Sequence, residues 1–269
     1  MNTSRGVRWF FGVCTALVLA FLYIPLAVVA ALSFNSSASL AWPPKSLTFK
    51  WWTGAFHNPG ARDALVVSLK VATGAMIVAL ILGTLAALAV QRFRFFGRET
   101  ISLLIVLPIA LPGIVTGIAL NAAFRTIGFD FGLITLIIAH ATFCIVVIYN
   151  NVLARLRRLS GNLEEASADL GADAFQTFRY VTFPLMRTAL VAGGLLALGL
   201  SFDEIVVTNF TAGAGLETLP LWIFRNLSRG QQQPIVAVVA TAVMLASILP
   251  VWLAQRLSGQ TGGVTGGTR

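Results

Sequence analysis

The sequence predicts an all-α membrane protein in which about six transmembrane helices cross the bilayer. Hydrophobic residues make up 57% of the 269 residues, and the mean hydropathy is +0.84. Only 11% of the residues are charged, whereas soluble domains average about 25%. A formal charge of +9 would suggest nucleic-acid binding in a soluble chain. Here most of the charges flank apolar runs, so no nucleic-acid partner is expected.

Apolar runs long enough to cross a hydrocarbon core of about 30 Å recur along the chain. The first run is expected to be a retained membrane helix, because it is too long for a signal peptide and lacks a clear small-residue cleavage site. The polar stretch that follows, residues 35–62, contains Trp51 and Trp52, which favour the bilayer surface. The predicted spans are 9–34, 63–90, 101–124, 131–153, 188–211 and 235–254.

Proline and glycine mark the third and fifth spans. The third is predicted to bend, and a bend beside a transport pathway and a bend that serves packing alone are equal alternatives. The glycines of the fifth suit a close approach between helices. The residues concerned are Pro108, Pro112, Gly113 and Gly117 in the third span, and Gly193, Gly194 and Gly199 in the fifth.

The longest polar segment, residues 155–187, lies between the fourth and fifth spans and is too polar to lie in the bilayer. Leucine and alanine recur in it at helical spacing and predict an apolar stripe. Gly171 is expected to end this helix, and Pro184 to end a second short helix that carries Phe175. Such a stripe needs another protein to cover it, unless the helix is an ordinary interfacial one. The stripe consists of Leu159, Leu163, Ala166 and Leu170.

Within this segment, Glu165-Ala166-Ser167, Gly171 and Val181-Thr182-Phe183-Pro184 resemble the EAA loop of permeases from ATP-binding-cassette (ABC) importers. The family pattern is Glu-Ala-Ala, three residues, Gly, nine residues, Ile, one residue, Leu-Pro, and every anchor matches in spacing. The resemblance implies a type I ABC importer permease fold (MetI-like) and docking into a groove of a cytoplasmic ATPase. The residues it implies in ATPase coupling are Glu164, Glu165, Ala166, Gly171, Ala172, Phe175, Val181 and Pro184.

Arginine and lysine are unevenly distributed between the two sides of this topology. Twelve lie on the side that holds the N-terminus and residues 155–187, and six lie on the other side. Cytoplasmic loops carry the excess of positive charge. We therefore expect a multi-pass protein of the bacterial inner membrane with both termini and the EAA-like segment in the cytoplasm.

Asp203 and Glu204 lie within the fifth predicted span. A carboxylate at mid-membrane costs about 2.5–3.5 kcal/mol on insertion scales, and such residues usually face a pathway or a partner. The pair is therefore predicted to line the substrate pathway. The alternative is an ion pair with Lys70 of the second span, although a lone lysine there is more often a snorkelling side chain.

The chain offers no candidate for catalysis or for cofactor or metal binding. It has no Gly-x-x-x-x-Gly-Lys-Ser/Thr loop and no Ser/His/Asp or Cys/His constellation. Cys14 and Cys144 lie in apolar spans and are expected to be buried thiols. His57 and His140 are too scattered for a metal site, and His140 is expected to bond a neighbouring helix. We predict that the chain is not an enzyme and that a partner ATPase binds ATP.

Two further runs, SFDEIVVTNFTAGAGLETLP at 201–220 and LPIALPGIVTGIAL at 107–120, resemble the spermidine/putrescine permease subunits of this family. The resemblance covers residues 63–256, the expected permease domain. Residues 1–62 are expected to form an N-terminal transmembrane helix and an external segment, and residues 257–269 a disordered tail. The implied partners are an ATPase dimer, a second permease subunit, a periplasmic solute-binding protein and membrane lipid.

The expected solute is a small cation such as a polyamine, because membrane carboxylates suit one. Related permeases for opines, ferric iron and aminophosphonates share much of the pattern and stay as alternatives. A stand-alone secondary transporter would need ionisable relays in several spans and internal repeats, and neither is clear here. A structural scaffold would leave the EAA-like spacing unexplained.

Overall fold

The structure, a computed structural model, describes residues 5–38, 41–159 and 162–259, and beyond residue 249 it describes the backbone and the Trp252 side chain. The predicted tail lies outside these residues from position 260 onward, and residues 257–259 continue the last helix instead. The described residues include twelve α-helices. They are α1 Arg5–Leu32, α2 Lys50–Phe56, α3 Pro59–Arg92, α4 Arg98–Ala110, α5 Gly113–Thr126, α6 Leu133–Leu156, α7 Asn162–Asp169, α8 Ala174–Thr177, α9 Phe183–Asp203, α10 Val206–Thr211, α11 Leu219–Leu227 and α12 Gln233–Gly259.

Four helical runs of the described chain are long and apolar enough to cross a membrane. They are α1, α3, α6 and the run Ala174–Asp203, in which α8, a π-helical turn and α9 are continuous. The bent pair of α4 and α5 makes a fifth if it is counted as one span, and the apolar part of α12, Gln233–Leu249, is shorter. These elements occupy the six predicted apolar segments, and the all-α class is confirmed.

The first compact unit comprises the described residues of 1–62 and 222–248. Here the loop between α1 and α2 folds back on itself, because the Trp51 indole N–H donates to the Asn35 carbonyl at 2.9 Å. Phe34 stacks on Trp52 with ring centroids 5.3 Å apart. Both tryptophans are half-buried in this packing. The apolar side chains of α1, by contrast, are mostly exposed, as expected of a helix that faces lipid.

The second unit, residues 63–221 with the described residues after 248, is built around α6. Leu136, Cys144 and Ile148 on α6 are fully buried, because α3 and α9 lie close against it. A Cβ added at Gly83 of α3 would meet the Ile145 carbonyl oxygen at 2.9 Å, and one at Gly193 of α9 would meet Ile148 Cδ1 at 3.2 Å. Glycine thus permits both close approaches, as the sequence predicts for Gly193. The prediction is wrong for Gly199, where a Cβ would meet nothing within 4 Å.

The third predicted span is broken. α4 and α5 meet at 108° across Leu111 and Pro112. Leu111 is extended, with ψ at 143°, because a residue before proline is sterically kept out of the helical region. The predicted bend is therefore present. α5 then packs on α10, where the Asn121 side chain donates to the Phe210 carbonyl.

The predicted fifth span, 188–211, is wrong at both ends. α9 is continuous with α8 at one end and stops at Asp203 at the other, and α10 is a separate short helix. Pro184 does not close a helix as predicted. It lies in the first turn of α9, directly after a π-helical turn. At this position the missing N–H of proline removes little of the helical hydrogen bonding.

The close approach at Gly83 makes a stability prediction. Gly83→Ala should lower the melting temperature of the purified protein, because its Cβ meets a backbone oxygen that cannot move aside. Overpacking costs about 1–3 kcal/mol, and each kcal/mol shifts Tm by about 2–4 °C in a chain of this size. Fluorescence-detected size-exclusion chromatography after heating measures the shift.

The matched control is Gly199→Ala on α9, where a Cβ meets nothing within 4 Å. Alanine is the better helix former, so Tm should stay constant or rise slightly. An equal loss in both variants would contradict the packing argument.

Candidate coupling segment and helix-break site

Gly171 ends the first helical part of the EAA-like segment, residues 155–187. It has φ at +83°, and a Cβ there would meet nothing within 4 Å. Its N–H donates to the Ala168 carbonyl at 2.8 Å, and the Ala172 N–H donates to the Ser167 carbonyl at 3.1 Å. These two bonds form a Schellman C-cap. The demand for glycine here is conformational rather than steric, because L side chains disfavour positive φ.

The second part of the segment starts at a capping box that the sequence analysis missed. The Asp173 carboxylate accepts from the Gln176 N–H at 2.8 Å, and the Gln176 side chain accepts from the Asp173 N–H at 3.0 Å. An acidic residue followed three positions later by glutamine is a readable sequence signal for a helix start. From this cap the helix runs without a break to Asp203. The second part of the EAA-like segment, from Ala174 onward, is therefore one continuous helix with the membrane-spanning run.

A polar cluster ties α7 to two distant parts of the chain. The Glu164 carboxylate accepts from the Arg92 guanidinium and from the Thr182 hydroxyl, the latter at 2.7 Å. Arg92 also donates to the Thr182 hydroxyl oxygen at 2.9 Å. Thr182 is fully buried, so the cluster sits where the end of α3, α7 and the π-helical turn meet. Neither Arg92 nor Thr182 was singled out from the sequence, because their partner lies 72 and 18 positions away.

Protonation of Glu164 depends on the same contacts. Partial burial by itself raises the pKa of this carboxyl, but the hydrogen bonds from Thr182 and Arg92, together with the Arg92 charge, outweigh burial and hold the pKa below its ordinary value. Because the pKa is lowered in the folded protein, ionised Glu164 stabilises the cluster at any pH above the ordinary carboxyl pKa. This stabilisation is lost as the pH falls through the lowered pKa. The ion pair is therefore intact at neutral pH.

Apolar side chains of the EAA-like segment project into solvent. Leu170 is 89% exposed, Phe175 69% and Tyr180 70%. The predicted stripe is wrong at its first member, because Leu159 lies in the turn after α6 and packs on the core. Of the other predicted coupling residues, Ala172 and Val181 are half-buried, and those exposed are Glu165, Ala166, Phe175 and Pro184.

The second candidate site is the break between α9 and α10. Glu204 is extended, with ψ at 121°, which stops α9 at Asp203. The Glu204 carboxylate then accepts from the Val207 N–H at 2.8 Å and so caps α10. Asp203 is exposed and has no hydrogen-bond or ionic partner within the described residues. The two adjacent carboxylates thus have different roles: Glu204 is used by the fold and Asp203 is free.

Lys70 does not neutralise either carboxylate. It is exposed, and in the part of the chain that the structure describes it forms no ion pair with Asp203 or Glu204. His140, in contrast, reaches the break from α6, where its ring contacts Ser201 and Thr208. The expected bond from His140 to a neighbouring helix is confirmed. The sequence analysis did not predict that the contacts of His140 lie on either side of Asp203 and Glu204.

Solved structures of ABC transporters share this arrangement of helices. A bacterial ABC transporter involved in the import of the acidic polysaccharide alginate aligns over 97% of this chain and 99% of its own, with a TM-score of 0.71 and 20% identity. The methionine ABC transporter MetNI, in an inward-facing conformation, aligns over 74% of this chain and 92% of its own, with a TM-score of 0.56 and 18% identity.

Residues 79–261 match the family described as the binding-protein-dependent transport system inner membrane component, and the chain belongs to that family. A spermidine/putrescine transport system permease protein of Haemophilus influenzae is 34% identical over 242 residues, which cover 90% of this chain and 93% of that protein. A putrescine transport system permease protein of Escherichia coli is 34% identical over 232 residues, covering 83% and 82%. The spermidine/putrescine permease of Escherichia coli is 33% identical over 251 residues, covering 93% and 94%.

Loss of the polar cluster should loosen α7. Arg92→Gln removes the charge that pairs with Glu164, and such partly exposed pairs are worth about 0.2–1 kcal/mol. Amide hydrogen exchange in residues 162–169 should accelerate by up to about five-fold at neutral pH. Exchange followed by mass spectrometry gives the comparison.

Arg94→Gln is the control, because Arg94 lies two residues away, is exposed and forms no ion pair among the described residues. Unchanged exchange in Arg92→Gln, or equal acceleration in both variants, would show that the cluster does not hold α7.

Proposed function

We propose that this chain is one of two permease subunits in an ATP-driven importer of a small cation, a polyamine such as spermidine or putrescine. The observation that carries the proposal is the free carboxylate of Asp203 at a break in a membrane helix. The polyamine permeases named above, at 33–34% identity over most of both chains, support the same solute class. The complex would also contain a cytoplasmic ATPase dimer and receive solute from a periplasmic binding protein.

A helix break of this kind suits a cation for electrostatic reasons. The carbonyl groups at the C-terminal end of a helix carry the negative end of the helix dipole. Transporters use such half-helix C-termini within the membrane to hold cations. At the end of α9 the charge of Asp203 adds to that dipole, whereas the Glu204 charge is directed to the N-terminus of α10. Asp203 is therefore assigned the contact with the solute, and Glu204 a structural role.

The exposed apolar side chains of the EAA-like segment would form the surface that docks on the ATPase. Leu170 and Phe175 flank the Gly171 cap, so the cap fixes the direction in which both project. An apolar cluster held outside the bilayer is typical of a protein interface. This placement puts the segment and both termini in the cytoplasm, as the distribution of arginine predicts.

Continuity of the helix gives the proposal its coupling mechanism. The run Ala174–Asp203 has 30 residues, or about 45 Å at 1.5 Å per residue. It begins at the docking surface and ends at the carboxylate. A movement of the ATPase that displaces its first turn would therefore displace Asp203, and alternate access would follow from rigid-body motion of this helix.

Reconstituted transport tests the proposal. The complex is purified through a tag on this chain, placed in proteoliposomes and supplied with binding protein and radiolabelled spermidine or putrescine. Uptake should require ATP and the ATPase subunits, and unlabelled 2-aminoethylphosphonate should not compete. Uptake by this chain without the ATPase would favour a secondary transporter, and transport of the phosphonate alone would overturn the polyamine assignment.

The C-cap of α7 predicts a coupling defect. Gly171→Val places a β-branched residue at φ +83°, a conformation that costs L residues about 1–2 kcal/mol. ATP-dependent uptake per assembled complex should fall about five-fold or more, because the docking side chains lose their orientation. Gly171→Asn is the control, since asparagine tolerates this region and should keep most of the activity.

The two carboxylates are predicted to differ. Asp203→Asn should lower uptake per complex about tenfold or more, since a hydrogen bond to a charged group is worth about 1.5–3 kcal/mol. Glu204→Gln should have a small effect, because a glutamine oxygen still accepts from the Val207 N–H. Lys70→Met should not rescue Asp203→Asn. Equal loss in both carboxylate variants, or rescue through Lys70, would contradict the assignment.

A further inference from the structure

His140 contacts the chain on both sides of the helix break. It is fully buried on α6. Its Nδ1 lies 2.8 Å from the Ser201 hydroxyl and 3.1 Å from the Ser201 carbonyl, in the last turn of α9. Its Nε2 lies 2.9 Å from the hydroxyl of Thr208 on α10. One side chain therefore spans the gap in which Asp203 and Glu204 lie; we call these three residues, His140, Ser201 and Thr208, the His140 bridge.

The donors and acceptors of the His140 bridge balance with a neutral ring. Thr208 donates its hydroxyl proton to the Glu204 carbonyl at 2.8 Å. Its oxygen is then left to accept a hydrogen bond from Nε2–H of His140, and Nδ1 accepts a hydrogen bond from the Ser201 hydroxyl. The hydrogen bonds thus run from α9 through the ring to α10 and back to the peptide of Glu204. A buried polar network that is fully satisfied rigidifies the groups that it joins.

Other contacts from α6 hold only one side of the break. The Cys144 thiol donates to the Ala197 carbonyl of α9 at 3.4 Å, one turn before the His140 bridge. The Thr135 hydroxyl donates to the Gly132 carbonyl at 2.8 Å and also lies 3.2 Å from the Thr211 carbonyl at the end of α10. Among these α6 side chains, His140 alone contacts both α9 and α10. This ring therefore helps to fix the angle between the two helices, and with it the direction of residue 203, together with the packing of α10 on α5 and the contacts of Glu204 with α10.

We propose that His140 is a positioning residue for transport: it fixes the helix break so that Asp203 is presented to the solute. This inference rests on the proposed role of Asp203. His140 itself is fully buried and hydrogen-bonded on both ring nitrogens, so it has no atom left to bind solute. Its effect on transport must pass through the geometry of residues 201–208.

The test removes the partners of His140 rather than the ring. Thr208→Val and Ser201→Ala each delete one hydroxyl with little change in volume. The readout is the number of spermidine molecules imported per ATP hydrolysed, in proteoliposomes with saturating loaded binding protein. We expect this ratio to fall about five-fold or more in Thr208→Val, which leaves Nε2 without its partner. The loss should be smaller in Ser201→Ala, because the Ser201 carbonyl still lies 3.1 Å from Nδ1. Complex yield and maximal ATPase rate should stay near those of the unmodified protein.

Thr142→Val is the matched control. Thr142 lies two residues from His140 on α6, but its hydroxyl bonds the Ala139 carbonyl of its own helix at 2.6 Å. The ratio should not change in this variant. His140→Gln, whose amide can replace Nε2–H toward Thr208, should retain more transport per ATP than His140→Leu, which replaces neither contact.

A double-mutant cycle separates positioning from general stability. In the Asp203→Asn background, Thr208→Val should cause no further loss, because the carboxylate that the His140 bridge positions is already gone. Independent, additive losses would overturn the inference, as would reduced yield with an unchanged ratio of solute to ATP. If Asp203→Asn is silent, the role of Asp203 and the inference both fail. If Asp203→Asn impairs transport and Thr208→Val does not, the inference fails alone.

Discussion

The structure depends above all on how the chain satisfies its backbone groups where a membrane helix stops. Inside a bilayer no water replaces a lost helical hydrogen bond, and each unpaired group costs several kcal/mol. At the end of α9 the chain supplies the replacements itself. The Glu204 carboxylate accepts a hydrogen bond from the Val207 N–H, and the Thr208 hydroxyl donates one to the Glu204 carbonyl. Because the break is satisfied in this way, the carboxylate of Asp203, at the end of the run Ala174–Asp203, is not used for capping and has no partner among the described residues.

The same helix connects that break to the EAA-like segment. A loop between α8 and α9 would absorb a displacement, whereas continuous helical structure transmits it. Pro184 does not interrupt the run, because it stands in the first turn of α9 behind a π-helical turn. π-Helical turns inside α-helices occur frequently at functional sites. Here the turn also places Thr182, whose hydroxyl joins Glu164 and Arg92.

Charge is arranged differently at the two ends of this helix. At the EAA-like end, Glu164 is neutralised by Arg92, and the exposed surface around Gly171 is apolar, which favours a protein partner. At the other end the Asp203 carboxylate is exposed and has no ionic partner among the described residues, which supports the proposed cationic solute. In the proposed function, one end contacts a protein and the other contacts a small ion. This division agrees with membership in a family of binding-protein-dependent permeases.

The sequence by itself determined the features that depend on neighbouring residues. Apolar length set the membrane class, Pro112 set the bend between α4 and α5, and the spacing from Glu165 to Pro184 identified the family. The positive φ of Gly171 was also foreseeable, because a helix C-cap is a local structure. Asp203 and Glu204 stood out because acids are rare within apolar runs.

Only the tertiary structure decided which groups those residues contact. The end of α9 could not be read from apolar length, because it is set by an extended Glu204 whose side chain caps the next helix. The partners of Glu164 and His140 lie 18 to 72 positions away, and hydrogen bonds over such separations leave no periodic trace in a sequence. Two adjacent carboxylates look equivalent in the sequence. Folding makes them different, because one N–H of α10 lies within 2.8 Å of Glu204 and leaves Asp203 free.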